Sequence, residues 1–230
     1  MATTIRNTGS GPGPRTLDGC SVEFWKQLKP GADPDVIAAA VPAGGTILEL
    51  GAGVGRITHP LLARGYRVTA VDNSPDMLAE IRGAEALLAD IEDVALDRRF
   101  DAVLLGSCLI HAPGFEARRA LLATCRRHLG PAGVVLIQRH RETWPGDIGP
   151  GFSWEADGVR NVIDAMQWDG PLVHMTLRHE TAIGTWTHSF TFAPLDRAGI
   201  DEALAAADLR LEGFLDARET WIVARARSAA

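Results

Sequence analysis

The residues best suited to chemistry lie in one short run, "ILELGAGVGRI", from Ile47 to Ile57. Gly51, Gly53 and Gly55 alternate there, and Glu49 precedes the first of them by two positions. Alternate glycines after a strand let the backbone approach a ligand closely, because no Cβ stands in the way. A helix starting beside them offers N–H groups that have no intrahelical partner. A dinucleotide turn, G-x-G-x-x-G, would need its third glycine where Arg56 stands, and no Gly-Lys-Ser/Thr follows to make a phosphate loop. The pattern is instead E-x-G-x-G-x-G, with an acid inside the strand end. Two further acids, Asp72 and Asp90, close the next apolar runs, and His111 and His140 follow the two after those. Imidazole titrates near neutral pH, so either histidine could act as a base.

Such residues need a scaffold that brings them together. From Thr46 onward, apolar runs alternate with helical patterns. "TILEL" reads as a strand, and "VGRITHPLLARG" as a helix in which Ile57, Leu61 and Leu62 repeat and Gly65 stops the run. "YRVTAVD" is a second strand. In "NSPDMLAEIRG", Ser74 caps a helix, Pro75 opens it and Gly83 ends it. "EALLAD" and "FDAVLLGS" are the third and fourth strands, "GFEARRALLATCRRHLG" a helix and "AGVVLIQRH" the fifth strand. Strand-helix repetition makes right-handed crossovers and a parallel sheet covered on both faces. Ligands of such sheets bind at the carboxyl ends of the strands, where strand order reverses. That rim collects Glu49–Gly55, Asp72, Asp90, Gly106–His111 and Arg139–Trp144.

After Trp144 the period changes to two. "PLVHMTLRHE" and "GTWTHSFTF" alternate as half-buried antiparallel strands. "GVRNVIDAMQW" has apolar residues at helical spacing, but the Asp169-Gly170 turn favours a hairpin, so strand is the preferred reading. A helix, "DRAGIDEALAAA", and two strands, "LRLEGFL" and "TWIVARA", follow. Residues 1–15, rich in Gly, Pro, Ser and Thr, read as a flexible tail. Residues 16–230 read as one domain: an N-terminal helical segment (16–45), a core (46–142), an antiparallel insertion (143–195), and a final helix with a strand pair (196–230).

Composition narrows the partners. The 230 residues are 46% hydrophobic and 23% charged, as in ordinary globular proteins. A net charge of -6, with no basic cluster, disfavours nucleic acid and favours a small, polar or cationic partner. Three cysteines without C-x-x-C spacing fit a reducing cytoplasm. No secretory leader or stretch of about 18 apolar residues is visible, so no membrane association is expected.

These segments resemble the class I S-adenosylmethionine (SAM)-dependent methyltransferases, in particular the small-molecule members. "LELGAGVGR" is similar to their first motif, "VTAVDNSPDML" to the second and "LLADIEDV" to the third. "FDAVLLGSCLIHAP" and "LGPAGVVLIQRH" resemble the segments around strands four and five. The resemblance implies a Rossmann-like α/β fold: a mostly parallel sheet flanked by helices, with an antiparallel insertion after strand five. It also implies SAM as cofactor, a ligand with an ammonium, a sulfonium and a ribose diol but no phosphate. Acids suit such a ligand where a pyrophosphate would be repelled.

By that resemblance Glu49 lies near the ammonium, and Gly51, Gly53 and Gly55 let the methionyl part rest on the backbone. Asp72, 21 positions after Gly51, falls where ribose-binding acids lie. Asn73 and Met77 would border the adenine, and Asp90 with Ile91 would meet its amino edge. Gly106 and Ser107 would end strand four beneath the sulfonium. Each has a plainer alternative: packing for the glycines and Met77, capping for Asp72, a surface turn for Asp90. Arg56 could pair with the ligand carboxylate or lie on a solvated face.

On the acceptor side, His111 and His140 are the candidate bases. Trp25, in a segment resembling the family's lid, Trp144 and His188 are candidate acceptor contacts; for Trp25 the alternative is a docked helix. No Asn/Asp-Pro-Pro-aromatic segment follows strand four, and no carboxylate set suggests a metal. The expectation is metal-independent methyl transfer to oxygen, nitrogen or carbon of a small specialised metabolite. Protein or RNA methylation, and a non-methylating use of SAM, are the alternatives. The insertion would also allow a homodimer.

Overall fold

In chain order, the computed structural model, which describes residues 7–146 and 148–227, begins with β1 (Thr8–Ser10) and the one-turn helix α1 (Val22–Trp25). Next come α2 (Asp33–Ala38), β2 (Thr46–Leu50), α3 (Thr58–Ala63), β3 (Arg67–Asp72), α4 (Pro75–Leu78) and β4 (Glu85–Leu88). β5 (Phe100–Leu105), α5 (Phe115–His128) and β6 (Leu129–Gln138) complete the alternating part. Four strands follow: β7 (Ser153–Ala156), β8 (Val159–Asp169), β9 (Leu172–Thr181) and β10 (Gly184–Phe192). The chain then runs through α6 (Arg197–Ala205), β11 (Leu209–Phe214) and β12 (Trp221–Ala226).

The larger of two structural units comprises Pro30–Glu142 and the chain from Leu195 onward. Its sheet has the order β11-β12-β6-β5-β2-β3-β4, with β2 to β6 parallel and the last two strands antiparallel. Alternate residues of each strand feed opposite cores. Leu48 and Leu50 join the core that includes α5 and α6, while Ile47 joins the core of α2 and α3. Leu122 and Ile37, with no exposed surface, anchor these two layers. Truncating either to alanine would cost about 2–5 kcal/mol. Because β2 lies between β3 and β5, strand order reverses at its tip, and the glycine turn sits at that crevice.

Helix ends follow local chemistry. Ser74 accepts from the Met77 N–H at 3.3 Å and Pro75 follows it, as expected. The α4 helix stops at Leu78, earlier than the Gly83 end that the sequence suggests. The α3 helix starts at Thr58, a turn later than expected, because Gly53 and Gly55 hold positive φ and keep the chain out of helix.

The smaller unit comprises the residues before Pro30 together with Thr143–Pro194. Its antiparallel sheet has the order β1-β10-β9-β8-β7. The ambiguous segment is strand β8, joined to β9 through a turn in which Gly170 has φ +57°. A register shift between Ile163 and Ala165 breaks its alternation, which is why its apolar spacing imitates a helix.

One expectation requires correction. The tail reading fails from Thr8: Thr8–Ser10 pairs with Thr187–Ser189, and the Pro12 carbonyl accepts from Trp186 Nε1 at 2.9 Å and Ser21 Oγ at 3.0 Å. Backbone pairing orders a segment whose side chains could not. Residues 1–6 of that expected tail lie outside the described residues. Residues up to Lys29 group with the insertion in one compact unit.

Candidate active site

At the tip of β2, the Gly51 and Ala52 N–H groups both donate to the Val71 carbonyl at 2.9 Å. Gly51, Gly53 and Gly55 have φ of +75°, +56° and +84°, which L-residues adopt only under strain. Their surroundings differ. A Cβ at Gly55 would meet His59 Cε1 at 2.5 Å and Ile81 Cδ1 at 2.8 Å, so packing demands glycine there. At Gly53 the nearest atom would be Met77 Sδ, 4.0 Å away. That face of the turn is open to a ligand.

Glu49 is 6% exposed, and Thr58 Oγ1 donates to its Oε2 at 2.6 Å. Burial pushes its pKa up to about 7; the Thr58 bond and the charge of Arg56 oppose that shift, and Asp72 adds to it. Asp72 ties two elements together: Oδ2 accepts from Gly53 N–H at 2.8 Å, and Oδ1 from Ser74 N–H at 2.9 Å. Each oxygen has a second lone pair for a hydroxyl donor. Asn73 Nδ2 donates to Asp90 Oδ1 at 2.8 Å. Met77 is buried, and Ile91 opens a 3₁₀ turn whose side chain reaches to 3.7 Å of the Cβ position at Gly51. Of the residues expected to hold the cofactor, Glu49, the three glycines, Asp72, Asn73, Met77, Asp90 and Ile91 lie at or after the tips of β2, β3 and β4, while Gly106 and Ser107 follow β5.

A second arrangement escaped the sequence. Asp33, at the start of α2, accepts from Trp221 Nε1 at 3.0 Å, Gln138 Nε2 at 3.2 Å and Arg56 Nη1 at 3.3 Å. Gln138 Oε1 in turn accepts from Ser107 N–H at 2.9 Å. This network fixes the tips of β5 and β6 and holds Ser107 and Cys108 at φ of +51° and +56°. Arg56 thus pairs with Asp33 through Nη1. Nothing local marks Asp33: its partners lie 105 and 188 positions away along the chain.

The histidines are less available than their rim position implies. His111 is 3% exposed. Its Nε2 faces the His140 N–H at 3.2 Å and its Nδ1 the Leu195 N–H at 3.3 Å. A neutral ring can accept at only one nitrogen, and both nitrogens point at backbone. His111 is a strut, and the base role expected of it has no geometric support. His140 stacks on it, with centroids 5.3 Å apart and planes at 19°. Burial, then His111 and Arg139, lowers the His140 pKa to about 4. It is neutral at pH 7 but a weak base, which corrects the expectation of a group poised near neutrality.

The other three candidates belong to the smaller unit. Trp25 packs with Phe24, Val159 and Trp186, and Phe24 stacks on His179 at 4.2 Å, so α1 is docked on the antiparallel sheet. Trp144 meets Trp154 edge to face at 5.9 Å. His188 stacks on Phe190 at 5.0 Å and directs Nε2 to the Asp18 carbonyl at 3.2 Å.

A model of the methyltransferase domain family matches residues 48–137, the stretch from β2 to β6 that carries this site. That stretch resembles a methyltransferase domain, and the fold is that of class I SAM-dependent methyltransferases. An uncharacterised methyltransferase of Mycobacterium tuberculosis is 33% identical to it over 152 residues, 62% of this chain and 61% of the relative. This chain thus spans about three-fifths of that relative's length. A ribosomal RNA small subunit methyltransferase A of Anaeromyxobacter dehalogenans is 37% identical over 134 residues, 51% of this chain and 45% of the relative. Among solved structures, a SAM-dependent methyltransferase from Clostridium acetobutylicum aligns with TM-score 0.71 and 14% identity, covering 89% of this chain and 95% of that one. An amino pentose methyltransferase from Micromonospora echinaspora, solved with SAM bound, aligns with TM-score 0.66 and 23% identity, covering 91% and 93%. At such identities the likeness carries the fold.

The geometry of the site itself suits SAM. The Glu49 carboxyl, its pKa raised to about 7 by burial, would be favoured in its charged form by an ammonium beside it. The open face at Gly53 gives a nucleoside room, and the second lone pairs of Asp72 suit a diol. Among the described residues, no three His, Cys, Asp or Glu side chains converge as a metal would require. No described helix is long and apolar enough to cross a membrane.

Proposed function

We propose that this chain transfers a methyl group from SAM to a nucleophilic atom of a small, specialised metabolite. The observation that carries the reading is the joined set of Glu49, the open Gly53 turn and Asp72 at the strand-order reversal. SAM supplies an electrophilic methyl on a sulfonium, which leaves as a neutral thioether when a lone pair attacks in line. The protein's own contribution is alignment. Glu49 holds the ammonium end, Asp72 the ribose, Asn73 with Asp90 the base, and Ser107, pinned by Gln138, the region under the sulfonium. With His140 so weak a base, rate comes from positioning and exclusion of water, and the acceptor enters as its own nucleophile.

Support for a small acceptor comes from the amino pentose enzyme that the fold resembles, and from the net charge of -6 with no basic stripe. The ribosomal RNA relative favours a second reading, methylation of RNA. Calorimetry with SAM and S-adenosylhomocysteine, followed by methyl-labelled SAM with panels of amino sugars, phenols and RNA, tests both. Absence of SAM binding ends the proposal; label appearing only in RNA replaces the first reading with the second.

A further inference from the structure

Arg139, the residue after β6, is 1% exposed, among the most deeply buried of the large side chains. Its main-chain N–H donates to the Thr220 carbonyl at 2.8 Å, and its Nε to the His140 carbonyl at 2.8 Å. The guanidinium carbon lies 6.0 Å from the Phe214 ring centroid. Nη1 and Nη2 are shut from solvent, and neither has a hydrogen-bond partner among the described residues. A buried guanidinium with its outer donors unmet is costly, and an anion would satisfy both the donors and the charge. Arg197 lies 5.7 Å from the same Phe214 ring, with its Nε paired with Asp201 at 3.1 Å.

We infer that the Nη1–Nη2 edge of Arg139 is the seat of a carboxylate carried by the methyl acceptor. This rests on the reading of the β5–β6 rim as the acceptor side of a methyltransferase. With Nε already committed, the remaining edge presents two parallel donors, the geometry that a carboxylate meets with both oxygens. One guanidinium balances one negative charge; a phosphate dianion would leave an excess charge in a closed site. The Phe214 ring lies beside the guanidinium, so a flat organic acid suits the seat. The covering side chains must part on entry, so occupation selects an opened form of the site.

The test uses the full chain and benzoate as probe, with benzamide and equimolar chloride as controls. Thermal unfolding and calorimetry are run with and without saturating S-adenosylhomocysteine. Benzoate is expected to raise the wild-type Tm, benzamide and chloride to leave it unchanged, and S-adenosylhomocysteine to leave the benzoate shift intact. Arg139→Met is expected to lose the benzoate shift and to unfold no lower than the wild type, since it removes an unpaired buried charge. Arg139→Lys keeps the charge but not the fork, and is expected to bind benzoate about tenfold more weakly. Equal binding of benzamide and benzoate, or a benzoate shift kept by Arg139→Met, overturns the inference. So does loss of the benzoate shift on adding S-adenosylhomocysteine together with weaker cofactor binding by Arg139→Lys, which would assign the guanidinium to the cofactor's own carboxylate. Should Arg139→Met not fold, the benzamide control and the lysine variant still decide. Failure of the wild type to bind SAM would sink the methyltransferase reading while leaving the benzoate result to judge the seat.

Discussion

The tip of β2 and the tip of β6 belong to one sheet, yet they hold protons in opposite ways. At β2 the buried acid Glu49 keeps its proton up to about pH 7; at β6 the buried base His140 refuses one until about pH 4. Burial is the first cause of both, because each group is driven toward its neutral form. The difference lies in the charges beside each group. Around Glu49, Asp72 adds a like charge and Arg56 an opposite one. Around His140 a neighbouring guanidinium already supplies positive charge, and a second cation would be repelled. On the proposed reading, one tip receives a cation and the other an anion.

The largest effect expected from breaking this arrangement is at Asp72. Asp72→Ala removes the bonds to the Gly53 and Ser74 N–H groups along with any ribose contact. Hydrogen bonds to a charged group are worth about 1.5–3 kcal/mol each, so calorimetry should show SAM affinity lower by at least about tenfold. Unchanged affinity would mean that the cofactor does not use this strand tip.

A smaller effect sharpens the contrast through pH. Cofactor binding at Glu49 must expel its proton below pH 7. SAM affinity should therefore rise about tenfold per pH unit from 5.5 to 7 and level off above, with Glu49→Gln flattening the curve. Stability runs the other way. The folded chain holds this proton more tightly than the unfolded one, so the group's contribution is full below about pH 4.5 and is lost as pH rises through 7. Denaturant titrations across that window check the sign.

The smallest effect is expected at His140. Its folded pKa is depressed, so its contribution to stability is present above pH 6.5 and lost as pH falls through about 4. His140→Gln should reduce the acid sensitivity of the midpoint between pH 6.5 and 4. It should also leave the pH–rate profile without a lost inflection near 6.5. Such an inflection in the wild type, removed by the substitution, would restore His140 as a general base.

How much of this was legible beforehand differs between the same two regions. Glu49, the three glycines and Asp72 could be read because their bonds are short-range consequences of a strand-turn-helix pattern: Asp72 meets Gly53, 19 positions away, and Ser74, two positions away. The parallel sheet, the final strand pair and the Ser74 cap were equally accessible. The β6 tip was not. His111 and His140 read as bases because their types and rim positions invite it. Only their mutual stacking, and the backbone groups at both nitrogens of His111, show one to be a strut and the other too weakly basic. Asp33 reads merely as an acid before a proline, until Trp221 and Gln138 are folded onto it.

By itself the sequence determined the alternating scaffold, the place where strand order reverses and the acid-glycine turn that suits a phosphate-free cationic nucleoside. Those features follow from periodicity and backbone conformation, which act between near neighbours. Only the tertiary structure decided which ionisable groups are charged, which serve as struts and where a guanidinium is left with donors to spare. Desolvation and pairing depend on residues brought together from distant parts of the chain, and no local pattern encodes them.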